Sequence, residues 1–157
     1  MPLRLHYLIG TFFGTGFAPF APATVASFAF MVVWWLAWVL IAPIPLWVTA
    51  ALLVVVTLVG IKVADRLEKI HGEDPSLVVV DEIAGMLVTY LGVTAVPAGL
   101  VIGFFWFRFF DIAKPFGVRK LEKLGGGLGI MADDIGAGVL SCLATHATLW
   151  GMARLGW

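Results

Sequence analysis

The run Ser27-Phe28-Ala29-Phe30-Met31-Val32-Val33-Trp34-Trp35-Leu36-Ala37-Trp38-Val39-Leu40-Ile41-Ala42 carries no charge, and after a break at Ile44-Pro45 a second apolar run extends from Leu46 to Ile61. Two apolar helices joined by a tight proline-containing turn are the natural reading. Working outward, a third run follows Glu82, from Ile83 to about Val96, and Pro97 divides it from a fourth, Ala98 to Phe110. A fifth spans Ile135 to about Met152. Several fall short of the ~20 residues that cross hydrocarbon at ~1.5 Å per residue. Such runs extend into polar flanks, thin the bilayer locally or penetrate it in part. The expected fold is all-α, a polytopic membrane helical bundle of about five helical elements, some of them short or partly inserted.

Composition points the same way. The chain has 157 residues, 61% of them hydrophobic and 13% charged, with a mean hydropathy of +1.02. These values belong to an integral membrane protein of single-domain length, residues 1–157. A formal net charge of zero argues against nucleic acid as a partner. Cys142 is the lone cysteine, which excludes an intramolecular disulfide. The short apolar patch within Met1–Phe13 resembles a signal peptide, but no small-x-small cleavage site follows it, so retention is expected.

Charge placement orients the helices. Lys62, Arg66 and Lys69 follow the second run, and Arg108, Lys114, Arg119, Lys120 and Lys123 cluster at and after the end of the fourth. The turns around Ala42–Pro45 and Pro97 carry no charge. The positive-inside rule assigns both basic segments, and Arg4, to the cytoplasm. All ten carboxylates lie in or beside those two segments. Asp81-Glu82 is expected to open the third helix, Asp111 to close the fourth and Asp133-Asp134 to open the fifth. An antiparallel bundle gathers these ends on one membrane face.

Ionisable residues at such a boundary are functional candidates by default. Asp81 and Glu82 have a plainer reading as helix-start charges favoured by the dipole. Five converging carboxylates repel one another unless a cation lies among them. An all-oxygen ligand set suits a hard divalent ion, with magnesium the usual partner of phosphates. His6, His71 and His146 are too far apart in the chain to suggest zinc. Arg108, Asp111 and Lys114 follow i, i+3, i+6 spacing and share a helix face if the helix continues that far. The two cations are either phosphate ligands or membrane-surface anchors paired with Asp111. The glycine-rich stretches Gly14-Thr15-Gly16 and Gly125-Gly126-Gly127-Leu128-Gly129 can present backbone N–H groups to phosphate or act as plain flexible connections. Thr24 and Ser27 add hydroxyl donors, although Ser27 also reads as a helix cap. Asp65 and Glu68 read as the charged extension of the second helix, outside the site.

Four ordered motifs then make the chain recognisable. They are Gly14-Thr15-Gly16 through Pro19, Pro22 and Thr24; Asp74-Pro75-Ser76 leading to Asp81-Glu82 and Gly85; Phe107-Arg108 with Asp111, Lys114 and Pro115; and Gly126-Gly127 through Gly129-Ile130-Met131 to Asp133-Asp134 and Ala137-Gly138. The sequence resembles the phosphatidylglycerophosphatase A family from about Gly14 to Gly138. The resemblance implies a magnesium-dependent, all-helical phosphatase of the bacterial inner membrane that converts phosphatidylglycerophosphate to phosphatidylglycerol. It implies an acidic site of Asp81, Glu82, Asp111, Asp133 and Asp134, with Arg108 and Lys114 beside it. Asp81, Glu82, Asp133 and Asp134 are then the expected metal ligands. Thr15, Gly16, Thr24, Ser27, Arg108 and Lys114 are the expected phosphate-binding groups, and Asp111 is ligand, base or nucleophile. Two departures are visible. The family's Pro-Gly-Thr reads Pro22-Ala23-Thr24, which alters the first loop if glycine's positive φ is needed, and its Lys-Pro-Trp-Pro reads Lys114-Pro115-Phe116-Gly117.

Other classes fit less well. A lipid phosphotransferase needs a second substrate site and a different acid spacing. A divalent-cation transporter places acids near mid-bilayer rather than at helix ends. A structural scaffold has no use for convergent acids. Gly85, Gly92, Gly136 and Gly138 permit close helix packing, within the chain or in a homo-oligomer.

Overall fold

A computed structural model describes residues 1–94, 97–115 and 117–156, with the backbone alone for Arg119 and Glu122. Val96 at the end of the third apolar run, Phe116, and the side chains of Arg119 and Glu122 lie outside the described residues. Six α-helices follow in order: α1 (Leu3–Gly10), α2 (Pro22–Ile41), α3 (Leu46–His71), α4 (Val80–Thr89), α5 (Ala98–Ala113) and α6 (Gly126–Arg154). Short 3₁₀ turns occupy Thr15–Phe17 and Val118–Leu124, and no strand occurs among the described residues. The fold is all-helical, as expected, with α1 as an element beyond the five apolar runs.

Among the described residues, three helices are long and apolar enough to cross a membrane: α2, α3 and α6. The first two present apolar side chains outward, among them Val33, Leu36, Leu40, Val54, Val55 and Leu58. A surface of that kind is stable against lipid, not water. At ~1.5 Å per residue, α4 rises only about 15 Å, so it is not a span. It ends at Thr89, well short of Val96, and all ten of its residues are buried. It packs against α2, α3, α5 and α6. Helix α4 is therefore an internal post around which the long helices stand.

Lipid tails are as apolar as leucine, so close packing rather than hydrophobic expulsion must hold such helices together. At the crossing of α4 and α6, a Cβ on Gly138 would come within 3.0 Å of Val88, and one on Gly85 would lie 2.7 Å from the Asp134 carbonyl oxygen. Only glycine permits this approach. Below it, Phe30, Trp34, Ile83, Met86, Tyr90 and Phe107 form one apolar core, while Val63, Leu67, Val80 and Met131 form another between α3, α4 and α6.

The N-terminal segment braces the approach to α4. The Val79 N–H donates to the Gly10 carbonyl at 2.8 Å. Tyr7 and His71 are joined through the phenol oxygen and Nε2 at 2.7 Å, which ties α1 to α3. Gly16 lies against the Leu77 backbone, where a Cβ would meet the carbonyl carbon at 3.0 Å.

Helix α6 starts at Gly126, nine residues before the apolar run at Ile135. Its opening turn rests on α3, and Asp65 accepts a hydrogen bond from the Gly127 N–H. Asp65 thus satisfies an N–H that a helix start leaves without an intrahelical partner. Asp65→Ala should lower stability by about 1–2 kcal/mol while changing turnover little, a split that thermal unfolding and initial-rate assays in the same detergent would measure.

Candidate active site

The polar ends of the helices meet at one face. Asp81 and Glu82 occupy the first turn of α4, and the residue before the helix, Val79, offers no side-chain cap. Both acids, lying in the first turn, gain from the helix dipole. Asp133 and Asp134 sit in the third turn of α6 instead of opening it, because the glycine stretch itself is helical. The Gly85–Gly138 crossing brings these two turns together.

One oxygen from each of Asp81, Glu82 and Asp134 lies within 4.8 Å of the others. All three residues are buried, at 8%, 7% and 3% exposure. Asp81 Oδ1, Glu82 Oε2 and Asp134 Oδ2 are fully enclosed and have no hydrogen-bond partner. Burial above all, followed by the adjacent Glu82 and then Asp134 and Asp133, holds the Asp81 carboxyl well above its usual range. Burial also raises Glu82. Buried charges without partners are strongly disfavoured, so these carboxylates can be ionised together only around a cation. The donor set is oxygen alone, which suits a hard divalent ion. The buried acidic cluster fits a metal ion.

Around this triad lies a cavity of about 270 Å³, lined by Asp81, Glu82, Asp111, Lys114, Asp133 and Asp134. Pro22 and Ala23 of α2, and Asp74 and Ser76 of the segment before α4, complete its wall. Lys114 forms an ion pair with Asp133. Helix α5 ends at Ala113, and Lys114 turns away with a left-handed φ of 42°. The expected helical face from Arg108 to Lys114 therefore breaks after Asp111. Pro115 accounts for this, since the residue before a proline is disfavoured in α-helical geometry.

Arg108 bonds Asp111 through Nη1 at 3.0 Å and makes a longer contact, 3.5 Å, to the Ser27 hydroxyl. It stands behind Asp111, outside the cavity lining. Thr15, Gly16, Thr24 and Ser27 do not line the cavity either. The Thr15 hydroxyl donates to the carbonyls of Thr11 and Phe12, and that of Ser27 to Ala23. The first glycine motif and Thr11 build a tight turn, with Gly16 N–H donating to the Thr11 carbonyl at 2.9 Å. Ala23 is the second residue of α2, and the strained left-handed residue is Ala21, with φ 45°. Alanine at 23 therefore needs no positive φ, and the altered-loop expectation does not hold. His146 hydrogen-bonds the Leu91 carbonyl at 2.8 Å, remote from the acids.

Asp74 and Ser76 were not singled out as site residues from sequence. Their Asp74-Pro75-Ser76 motif, immediately before the acidic pair, was the available signal.

Comparison with known proteins agrees with this geometry. The family model described as Phosphatidylglycerophosphatase A matches residues 8–149. A Bacteroides thetaiotaomicron protein named "Putative phosphatidylinositol-3-phosphatase" is 45% identical over 157 residues, covering 95% of this chain and 96% of its own. Phosphatidylglycerophosphatase A of Escherichia coli K12 is 34% identical over 143 residues, 86% of this chain and 78% of the relative. The Haemophilus influenzae protein of the same name is 35% identical over 81 residues, half of each chain. No solved structure matches the chain. With nearly the full length matched and the motif acids gathered into one buried cluster, the chain belongs to the phosphatidylglycerophosphatase A family.

Proposed function

We propose that this chain, acting as a single domain over residues 1–157, is a magnesium-dependent lipid phosphatase of the bacterial inner membrane. Its substrate is phosphatidylglycerophosphate and its product phosphatidylglycerol. The carrying observation is the triad Asp81, Glu82 and Asp134, each with one enclosed oxygen that lacks a hydrogen-bond partner, beside a cavity lined by carboxylates and Lys114 at the ends of apolar helices. In this reading the site faces the cytoplasm, in line with the basic segments that flank it.

Asp81, Glu82 and Asp134 would hold the cation, with Asp133 as a fourth carboxylate beside them. A divalent cation bound there supplies Lewis-acid neutralisation of the phosphate oxygens. The Lys114 ammonium adds a second positive charge against the phosphate. Asp111, paired with Arg108, takes the proton of the attacking water. The water oxygen bonds to phosphorus as the ester P–O bond breaks, and the departing alcohol oxygen takes up a proton. Arg108 acts through Asp111 as a positioning residue.

A second reading follows from the Bacteroides relative, whose name specifies a phosphatidylinositol phosphate. Both lipids present a phosphomonoester on a polyol headgroup, and the acidic cavity serves either. Phosphate release from phosphatidylglycerophosphate and from phosphatidylinositol 3-phosphate should be measured in parallel in detergent. Release from the first lipid that EDTA abolishes and magnesium restores is expected. Faster release from the second would favour the inositol reading, and none from either by folded protein would overturn both.

Lys114→Gln should reduce kcat/KM by about 10- to 100-fold, as a charge-assisted bond of ~1.5–3 kcal/mol is lost. Lys123, on the exposed 3₁₀ turn, should tolerate alanine within about twofold in the same assay.

A further inference from the structure

The acidic cavity meets the seam between α2 and α5. At the α5–α6 seam, the connecting segment runs from Lys114 to Gly125, and Val118 and Leu121 pack over Gly136. Helices α2 and α5 have no such connection at this end. Their seam starts at the cavity wall, with Ala23 on one side and Asp111 on the other.

Along α2 and α5 the seam changes character in steps. Next to the cavity, Arg108 reaches Ser27 at 3.5 Å. The rings of Phe28 and Phe104 then meet edge to face, with centroids 6.1 Å apart. Beyond them opens a groove of about 310 Å³ lined by Phe28, Met31, Val32, Trp35, Leu100 and Val101, with Pro97 at its end. On α5, Val101, Phe104, Arg108 and Asp111 follow i, i+3, i+7, i+10 spacing and so share one stripe. The order along the seam is acidic cavity, guanidinium, aromatic pair, apolar groove.

We infer that this α2–α5 groove holds a fatty acyl chain of the lipid whose phosphate occupies the cavity. The inference rests on the lipid-phosphatase reading above. A phospholipid has the same sequence of chemistry: phosphomonoester, charged and polar headgroup, then hydrocarbon. Its phosphate and chains are covalently joined, so the chain must leave the cavity by an open seam. The groove lies on the same seam as the cavity, beyond the Arg108–Ser27 contact and the Phe28–Phe104 pair, and its volume is within the roughly 300–1,000 Å³ common for small-ligand sites. A second apolar groove, lined by Ile102, Phe105, Trp106, Phe109 and Thr148, lies on the α5–α6 side. None of its lining residues borders the acidic cavity.

The test uses phosphatidylglycerophosphate carrying a diazirine in one acyl chain, photolysed with the full-length protein in detergent. Cross-links should concentrate on the α2 and α5 peptides bearing Met31, Val32 and Val101. Val32→Trp and Val101→Trp, which fill the groove, should each reduce that labelling at least fivefold, whereas Ile102→Trp should not. In turnover, the two groove variants should lower kcat/KM for long-chain substrate at least tenfold and leave a dihexanoyl substrate within twofold. Labelling spread evenly over the lipid-facing helices, or equal losses on both chain lengths, would overturn the inference. Labelling needs no hydrolysis. Groove labelling without phosphate release would therefore sink the phosphatase reading and spare the groove.

Discussion

Asp81→Asn and Asp134→Asn are each expected to abolish phosphate release while leaving the fold intact. The two side chains come from different helices and share one cluster with Glu82. Each has an enclosed oxygen without a partner. An amide keeps the size and removes the charge, so the cation loses a ligand and the remaining acids lose their reason to be ionised together. A fall of at least about 10²-fold is expected, the scale on which one preorganised electrostatic group affects turnover. Stability should move the other way. In EDTA both variants should unfold at the wild-type temperature or above it, because one of several mutually repelling buried acids is gone. Wild-type protein should be stabilised by magnesium, by about 2.7 kcal/mol at a hundredfold excess over Kd, and both variants should lose most of that gain. Near-wild-type turnover in Asp81→Asn would return Asp81 to a helix-start charge with no further part.

Gly85→Ala is expected to cost both stability and activity, although it adds only a methyl group that carries no charge and makes no hydrogen bond. The new Cβ would overlap the Phe107 ring and lie 2.7 Å from the Asp134 carbonyl oxygen. Phe107 is fully buried and cannot swing away, and the oxygen belongs to helix backbone. Helices α4 and α6 must therefore separate. Overpacking of this kind costs about 1–3 kcal/mol. The same separation pulls Asp81 and Glu82 away from Asp134, and a displacement near ~1 Å can cost about 10²-fold in rate. Added magnesium should not rescue the variant, which thermal unfolding and phosphate-release assays across a magnesium titration would show. Gly151→Ala supplies the contrast. Nothing lies within 4 Å of a Cβ there, and helix propensity alone predicts stabilisation of up to about 1 kcal/mol.

Much of this protein was legible along the chain. Charges in hydrocarbon are costly, so the apolar runs and the acids that border them are local facts. They sufficed for an all-helical membrane fold and for the convergence of Asp81, Glu82, Asp111, Asp133 and Asp134, and the four ordered motifs carried the family resemblance. Periodicity cannot show depth, however. The run after Glu82 looks like a membrane segment, yet α4 is a ten-residue internal helix, because four neighbours cover it on every side. The glycine stretch at 125–129 looks like a phosphate cradle or a loose link, but its first turn is helix, capped by Asp65 sixty-two positions earlier.

By itself, the sequence determined which residues could carry the chemistry and at which membrane boundary they would gather. Only the tertiary structure decided which of them share a cavity. Contacts between residues far apart in the chain made that choice: glycine against backbone at the α4–α6 crossing, Lys114 paired with Asp133, and Arg108 reaching Ser27. Such contacts depend on close packing of surfaces, and no local pattern of apolar and charged residues encodes them.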